Sequence, residues 1–546
     1  MDINKELTSM GGFVGLAQIN PIAGNLEANT TIIKDYILKA EDLNLDLVVF
    51  PQNALLGAPL DDFIDKFPFI LKEVEKCLEN LAQYTQKTTA IIGYIDTNKE
   101  QKFAVLRFGR FDRSLPLKEF YTSKLFNDGV EYYIKPYSEP SRAGFDYKRL
   151  IEVKDLATKS KRPVLAVNQV GAIDSDSYAG LSCAYDENGS LIALAKDFEE
   201  QLLIVNPFRK IGNIHTKLPT QPPKEFNLDY EWDLERTYKT LVQGIRDYFK
   251  KCGLKRAVLG LSGGLDSTIC AVLLADALGS ENVYGVSMPS KLTSNESKSD
   301  ALELAQNLGI GFSEVTIKPM VETTNSCLEA LFNDVNNKWH CQYKNSYTPD
   351  NIQARSRAMY LWAVSNEFES CIPIATSDKS ESYMGYATIN GDMSGGFAPI
   401  ADITKTKLFA LGYWMNKNRR DKNSIPESIL KKRPGAELAI DPNTGKTLCA
   451  EDALMPYEFM DEIIWRIENK NQSYKEILDS DFVYEKKYDI TKEQKEEWLK
   501  KFFNRMSTSI YKWSIFPPSV IVEPYTINKT KYSQPITSGK INYFTD

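Results

Sequence analysis

The sequence predicts two successive α/β units, the first an α/β sandwich and the second a doubly wound parallel sheet, and three observations carry that prediction. From Phe13 to about Asn206, short Val/Ile/Leu runs alternate with longer amphipathic stretches. Between Arg209 and Phe226 apolar clusters thin out and Pro219, Pro222 and Pro223 accumulate, as in a linker. Beyond it come an apolar run at Ala257 to Leu261, a turn at Gly263-Gly264 and an apolar helix from Ile269 to Leu278, and the alternation then resumes. The boundaries read as a first domain over 1–208, a linker over 209–226 and a second domain over 227–546.

A chain of 546 residues is too long for one core. Length alone allows roughly three to four units or two large ones, and the single linker favours two. A hydrophobic content of 42% and a charged content of 25% are ordinary for globular proteins. The net charge of -7 argues against nucleic acid as a main partner. No stretch has the apolar length of a membrane span, and Met1-Asp-Ile-Asn-Lys-Glu lacks the basic start and apolar core of a signal peptide. A cytoplasmic protein is expected. Eight cysteines without a C-x-x-C pair, and His215 and His340 as the only histidines, argue against a zinc site or a disulfide framework. Neither histidine is given a role.

In the first domain, Val14-Gly-Leu-Ala-Gln-Ile and Leu47-Val-Val-Phe read as strands around a periodic helical segment from Asn29 to Leu43. In the second, Trp232 to Lys250 reads as an amphipathic helix. Val283-Tyr-Gly-Val-Ser-Met and Val315-Thr-Ile read as strands, with a helix from Ser297 to Leu308 between them. Such alternation implies a parallel sheet with a ligand crevice at the carboxyl ends of its strands. The Lys/Glu-rich segment from Lys486 to Lys501 reads as a solvated helix.

The turn after the 257–261 strand carries the most chemistry. Gly263 and Gly264 let backbone approach an anion, and Asp266-Ser267-Thr268 are good helix starters. Backbone N–H groups and the positive helix end would grip a pyrophosphate, with the Ser262 and Ser267 hydroxyls as further donors and Asp266 placed to hold Mg²⁺. The turn lacks the Gly-Lys-Ser/Thr of the P-loop and the Gly-x-Gly-x-x-Gly of dinucleotide folds. It resembles the SGGxDS loop of the ATP-pyrophosphatase family, whose members adenylate a carboxylate or carbonyl and release pyrophosphate.

Further segments narrow the resemblance: Asn351-Ile-Gln-Ala-Arg-Ser-Arg opening a helix, Ile372-Pro-Ile-Ala-Thr-Ser-Asp-Lys-Ser-Glu as a strand ending in polar residues, and the glycine-rich turn Asn390-Gly-Asp-Met-Ser-Gly-Gly-Phe-Ala-Pro-Ile. With Asp402-Ile-Thr-Lys-Thr-Lys, Lys431-Lys-Arg-Pro-Gly-Ala-Glu-Leu, Tyr511-Lys512 and Gln534-Pro-Ile-Thr, they resemble the NAD⁺ synthetases, in order from about Trp232 onward. The resemblance implies that ATP adenylates the nicotinate carboxylate of deamido-NAD⁺, releasing pyrophosphate, and that ammonia then displaces AMP. It implies ATP contacts from Gly260, Ser262, Gly263, Gly264, Asp266, Ser267, Arg357, Thr376 and Lys405, and Mg²⁺ ligands at Asp266 and Glu381. It also implies a deamido-NAD⁺ site at Asn351, Arg355, Glu381, Asp392 and Lys512. Asp266, Lys405 and Asp392 would be the catalytic groups, Asp392 as a proton acceptor for the attacking ammonia. Asp378 and Gly435 depart from the family pattern, where Asn and a Ser or Thr are usual. A homo-oligomer, at least a dimer through the synthetase domain, is expected from the family.

The first domain resembles the nitrilase-like glutaminase of glutamine-dependent synthetases through Gly15-Leu-Ala-Gln-Ile-Asn-Pro, Asp46-Leu-Val-Val-Phe-Pro, Val167-Asn-Gln-Val-Gly and Asp197-Phe-Glu-Glu. Active members need a Glu base, a Lys and a Cys nucleophile. Here Gln52 stands at the Glu position, Thr122 at the Lys spacing with Lys124 out of register, and no cysteine lies between Cys77 and Cys183. Cys183 reads as a small hydrophobe on a buried strand. The segment between Pro136 and Pro163 is short for the family, as though the nucleophile-bearing loop, helix and strand were trimmed. The expectation is an ammonia-using synthetase with an inactive glutaminase domain. A ligase acting on another carboxylate and a non-catalytic nucleotide-binding scaffold stay open as alternatives.

Overall fold

The computed structural model describes residues 12–60, 62–117, 132–219, 231–332, 347–435, 449–483 and 485–527. Thr122, Lys124, His340, Gln534-Pro-Ile-Thr and the end of the Lys431 motif lie outside the described residues. The chain forms two compact units, Met1–Pro222 and Pro223–Asp546. No helix among the described residues is long and apolar enough to cross a membrane.

The first unit contains β1 (Val14–Gln18), β2 (Leu47–Val49), β3 (Thr89–Ile95), β4 (Gln101–Arg107), β5 (Arg110–Pro116), β6 (Tyr133–Pro136), β7 (Val164–Val167), β8 (Val170–Ile173), β9 (Asp176–Ala179), β10 (Cys183–Tyr185), β11 (Leu191–Leu194), β12 (Gln201–Asn206) and β13 (Ile211–Gly212). They build a seven-stranded sheet in the order β13-β12-β1-β2-β3-β4-β5, a four-stranded sheet β11-β10-β7-β6 and a β8-β9 hairpin.

Alternate residues of β1 and β2 serve two cores, which is why these strands read as unbroken apolar runs. Val14, Leu16, Leu47 and Val49 pack against Leu165, Val167, Ala184 and Ala193 of the second sheet. Phe13, Ala17, Val48 and Phe50 pack against Ile33, Ile37, Val74 and Leu78 of the helices Leu26–Asp42 and Ile70–Ala82. On the far face of the second sheet, Ala166, Cys183 and Tyr185 cover Leu150, Val153 and Ala157 of the helix Phe145–Ser160. The layers are helix, sheet, sheet, helix.

The stretch read as a linker begins inside this unit. Ile211 and Gly212 pair with Asn206 and Val205, and Ile214 bridges Leu194. A two-residue edge strand buries too little to leave a hydrophobic pattern.

The second unit carries one parallel sheet, β14 (Arg256–Gly260), β15 (Val283–Ser287), β16 (Gly311–Glu314) and β17 (Cys371–Pro373), in the order β16-β15-β14-β17. Ala257 and Leu259 face Leu241, Ile245, Ile269, Leu304 and Leu408 on one side. Val258 and Val286 face Ile317 and Leu361 on the other. Helices on both faces make the sheet doubly wound. The third strand, Gly311–Glu314, ends just before the residues that the sequence predicts: Val315 still donates to the Ser287 carbonyl at 2.9 Å, but Ile317 turns inward and a helix starts at Lys318.

The C-terminal helices Tyr457–Lys470 and Lys492–Trp513 pack a separate core around Phe459, Ile463, Phe502, Phe503 and Met506. The helix expected over 486–501 is therefore corrected. Thr491 caps a new start by accepting from Gln494 N–H, and the helix buries Leu499 and the apolar residues beyond Lys501 that a charge run conceals.

Candidate active site

The glycine turn leaves the carboxyl end of β14, the middle of the sheet and the place where its strand order reverses. Gly263 has φ +74°, and a Cβ there would run into the Ser297 carbonyl of the next helix, so only glycine fits without strain. The helix is Leu265–Leu278 and its N-cap is Gly264, which offers no side-chain acceptor. The first-turn N–H groups are thereby left without a cap from that side chain, as an anion site requires. Asp266-Ser267-Thr268 form the first turn of the helix, and the Thr268 hydroxyl returns to the Gly264 carbonyl at 2.8 Å. The Ser262 and Ser267 hydroxyls lie 3.2 Å apart, and Ser262 Oγ accepts from Gly264 N–H at 3.2 Å.

Asp266 points from this turn at residues brought from far along the chain. The Lys405 ammonium lies 2.7 Å from Asp266, 2.8 Å from Asp378 and 3.1 Å from Glu381. Asp378 caps the short helix Lys379–Tyr383 by accepting from Glu381 N–H at 2.8 Å. Lys405 opens the helix Lys405–Asn418. Burial alone would push the Lys405 ammonium down, but the three carboxylates outweigh it and hold it well above its ordinary range. Burial pushes Asp378 up and Glu381 well up. One ammonium thus leaves the trio short of positive charge.

Oxygens of Asp266, Asp378 and Glu381 lie within 4.8 Å of one another. Carboxylate oxygens gathered at that spacing suit a hard divalent cation such as Mg²⁺. Asp378, which sequence reading treats only as a departure from a family pattern, is the third member. Its spacing of three residues from Glu381, one helical turn, is the signal that would have found it.

The other predicted residues form a second group. Lys512 donates to the Gly385 and Ala387 carbonyls, both at 2.7 Å, and Arg355 to the Ile389 carbonyl at 3.1 Å. Thr388 donates its hydroxyl to Asn351 Oδ1 and its N–H to Asp392 Oδ1, both at 2.7 Å. Four side chains from three regions of sequence therefore tie down one loop, 385–392. Asp392 is exposed. Arg357 donates to the Met288 carbonyl at 3.1 Å beyond β15, and Thr376 is half-buried just past β17, both at carboxyl ends of the sheet. Asn351 lies within the helix Tyr347–Glu367 rather than opening it. Lys432 donates to Ser297 Oγ, which brings the Lys431 motif beside the glycine turn, whereas Gly435 is exposed.

In the first unit, Gln52 is held by its backbone: its N–H donates to Tyr137 O at 3.1 Å and its carbonyl accepts from Gln101 at 2.6 Å. Cys183 is 1% exposed on β10, and burial pushes its thiol up to about 12. One sixteen-residue helix, Phe145–Ser160, occupies most of the chain between β6 and β7.

Residues 237–502 match the family model described as NAD synthase. A glutamine-dependent NAD(+) synthetase from Thermotoga maritima is 33% identical over 526 residues, covering 83% of this chain and 88% of the relative. One from Synechocystis is 30% identical, covering 86% and 90%. Two solved structures share the fold over nearly the whole chain. A glutamine-dependent NAD(+) synthetase from Cytophaga hutchinsonii has a TM-score of 0.78 at 19% identity, covering 96% of this chain and 97% of that one. One from Acinetobacter baumannii in complex with adenosine diphosphate has a TM-score of 0.68 at 23% identity, covering 97% and 99%.

Proposed function

This chain belongs to the family of glutamine-dependent NAD(+) synthetases, C–N bond-forming ligases, and on that premise we propose that it makes NAD⁺ from deamido-NAD⁺, ATP and ammonia without hydrolysing glutamine itself. The synthetase domain, 227–546, does the chemistry. The degenerate nitrilase-like domain, 1–208, is kept for its fold.

The observation that carries the synthetase half is the meeting of Asp266, Asp378, Glu381 and Lys405 directly beside the Gly263-Gly264 turn. The turn and the open helix start bind the pyrophosphate end of ATP, with Ser262 and Ser267 as donors. Lys405 and Arg357 offset the negative charge that grows on the leaving pyrophosphate, and Thr376 contacts the nucleotide. Asp266, Asp378 and Glu381 would hold Mg²⁺, which supplies charge neutralisation at the phosphates. The 385–392 loop, fixed by Asn351, Arg355 and Lys512, orients deamido-NAD⁺ so that its carboxylate faces the α-phosphate. Ammonia attacks the adenylated carboxylate and must lose a proton; Asp392, at the rim of that loop, accepts it.

The ammonia half rests on the first domain. An amide at Gln52 cannot accept a thiol proton, and the Cys183 thiol is buried and held in its protonated, unreactive form. The protein is expected to act in the cytoplasm as at least a dimer. The test is NAD⁺ formation by the purified full chain from deamido-NAD⁺, ATP and Mg²⁺. Turnover with ammonium supports the reading, no turnover with any nitrogen source overturns it, and turnover with glutamine alone overturns the ammonia half.

A further inference from the structure

We infer that Asp461 is a positioning residue for this reaction, locking the two helix starts that present Glu381 and Lys405 into one fixed arrangement. The inference rests on the reading of those two residues as part of the adenylation site. Asp461 lies on the helix Tyr457–Lys470 and is 1% exposed. Its Oδ1 accepts from the Ser380 hydroxyl at 2.5 Å, and its Oδ2 accepts from Thr406 N–H at 2.8 Å and the Thr406 hydroxyl at 2.7 Å. Ser380 precedes Glu381, and Thr406 follows Lys405. The Ser380 hydroxyl also accepts from Lys405 N–H at 2.9 Å, which closes the ring between the two helix starts.

The same helix reaches Lys405 a second time. The Lys405 ammonium sits 5.4 Å from the centre of the Tyr457 ring. Tyr457 and Asp461 are four residues apart and share a helix face, so one face holds Lys405 at its backbone and at its tip. Among the described residues no basic side chain forms an ion pair with Asp461. A buried carboxylate without a counter-charge carries a desolvation cost that hydrogen bonds have to offset. Its three donors also fix direction: each bonds one oxygen at one angle, which an apolar contact cannot do. Burial raises this carboxyl to about 7, the mark of a group kept at a cost to stability.

The test uses the full chain assayed with deamido-NAD⁺, ATP, Mg²⁺ and ammonium. Asp461→Asn is expected to lower kcat by about 100-fold, the effect of misplacing reacting groups by about 1 Å. KM for deamido-NAD⁺ should stay within about 3-fold, since the 385–392 loop is untouched. Thr406→Val should lower kcat by about 10-fold, whereas Thr406→Ser, which keeps the hydroxyl, should restore it. Lys405→Ala is the control for the site reading. If Lys405→Ala lowers kcat by about 10² to 10³ but Asp461→Asn and Thr406→Val keep the wild-type kcat, the positioning role is overturned and the site stands. Wild-type turnover by Lys405→Ala overturns the site reading itself. Should Asp461→Asn fail to fold, the Thr406→Val and Thr406→Ser pair decides.

Discussion

Lys405 Nζ lies 2.7 and 2.8 Å from the two carboxylate oxygens of Asp266, although the residues are 139 positions apart in the chain. The contact joins the helix after the glycine turn to the start of the Lys405–Asn418 helix, and it sets the electrostatics of the whole site. Replacing Lys405 by Ala is expected to lower kcat by about 10² to 10³, the usual effect of losing one preorganised charge partner. It also strands three neighbouring carboxylates, which should cost about 3–5 kcal/mol of stability in chelator. Mg²⁺ should recover part of that loss. Denaturant unfolding with and without Mg²⁺ checks both statements, and equal stability in the two conditions would contradict the role of the trio as a cation site.

Gly263 is the most constrained position of the turn. Gly263→Ala places a methyl against the Ser297 carbonyl at φ +74°, a conformation costing a non-glycine residue about 1–3 kcal/mol. The turn must shift away from the helix start. A raised KM for ATP is expected with little change in KM for deamido-NAD⁺, measured by steady-state kinetics; the reverse pattern would place the nucleotide elsewhere.

Cys183 offers a direct probe of the first domain. With its thiol pushed up to about 12 by burial, it should resist a glutamine-mimicking electrophile in the folded protein. Exposed Cys252 and Cys327 should react with a general alkylating agent under the same conditions. Peptide mass mapping reads both, and fast labelling of Cys183 by the glutamine mimic would show a live nucleophile.

Asp461 gives a pH dependence with a definite sign. Its carboxyl is raised from 3.8 to about 7 by burial, so between those values the folded chain keeps a proton that the unfolded chain has released. Stability from this group is therefore fully present below pH 4 and is lost as pH rises to 7. The Tm of the wild type relative to Asp461→Asn should fall across that window and level off above it. A relative Tm that rises from pH 4 to pH 7 would mean that the hydrogen bonds from Ser380 and Thr406 outweigh burial.

The second unit was largely legible because its chemistry is local. A strand, two glycines and a helix start within a dozen residues fix both the turn and its place in a parallel sheet. The partners of Asp266 were reachable only through family resemblance, since nothing in periodicity brings Lys405 to position 266. Asp378 and Asp461 were missed for different reasons. Asp378 stands within the motif, but a single carboxylate at a family Asn position reads as a substitution until Glu381, one turn on, is set beside it. Asp461 sits in a helix whose apolar pattern gives no hint that one carboxylate turns inward. In the first unit, β1 and β2 were plain from their apolar runs, but the 211–212 edge strand was not, because two residues bury too little to leave a hydrophobic pattern.

The amide nitrogen of the product is expected to come from ammonia rather than from glutamine. Full-length protein given deamido-NAD⁺, ATP, Mg²⁺, unlabelled ammonium and glutamine labelled with ¹⁵N at its amide should yield NAD⁺ without the label by mass spectrometry. NAD⁺ carrying ¹⁵N in its carboxamide would mean that the first domain delivers nitrogen from glutamine after all.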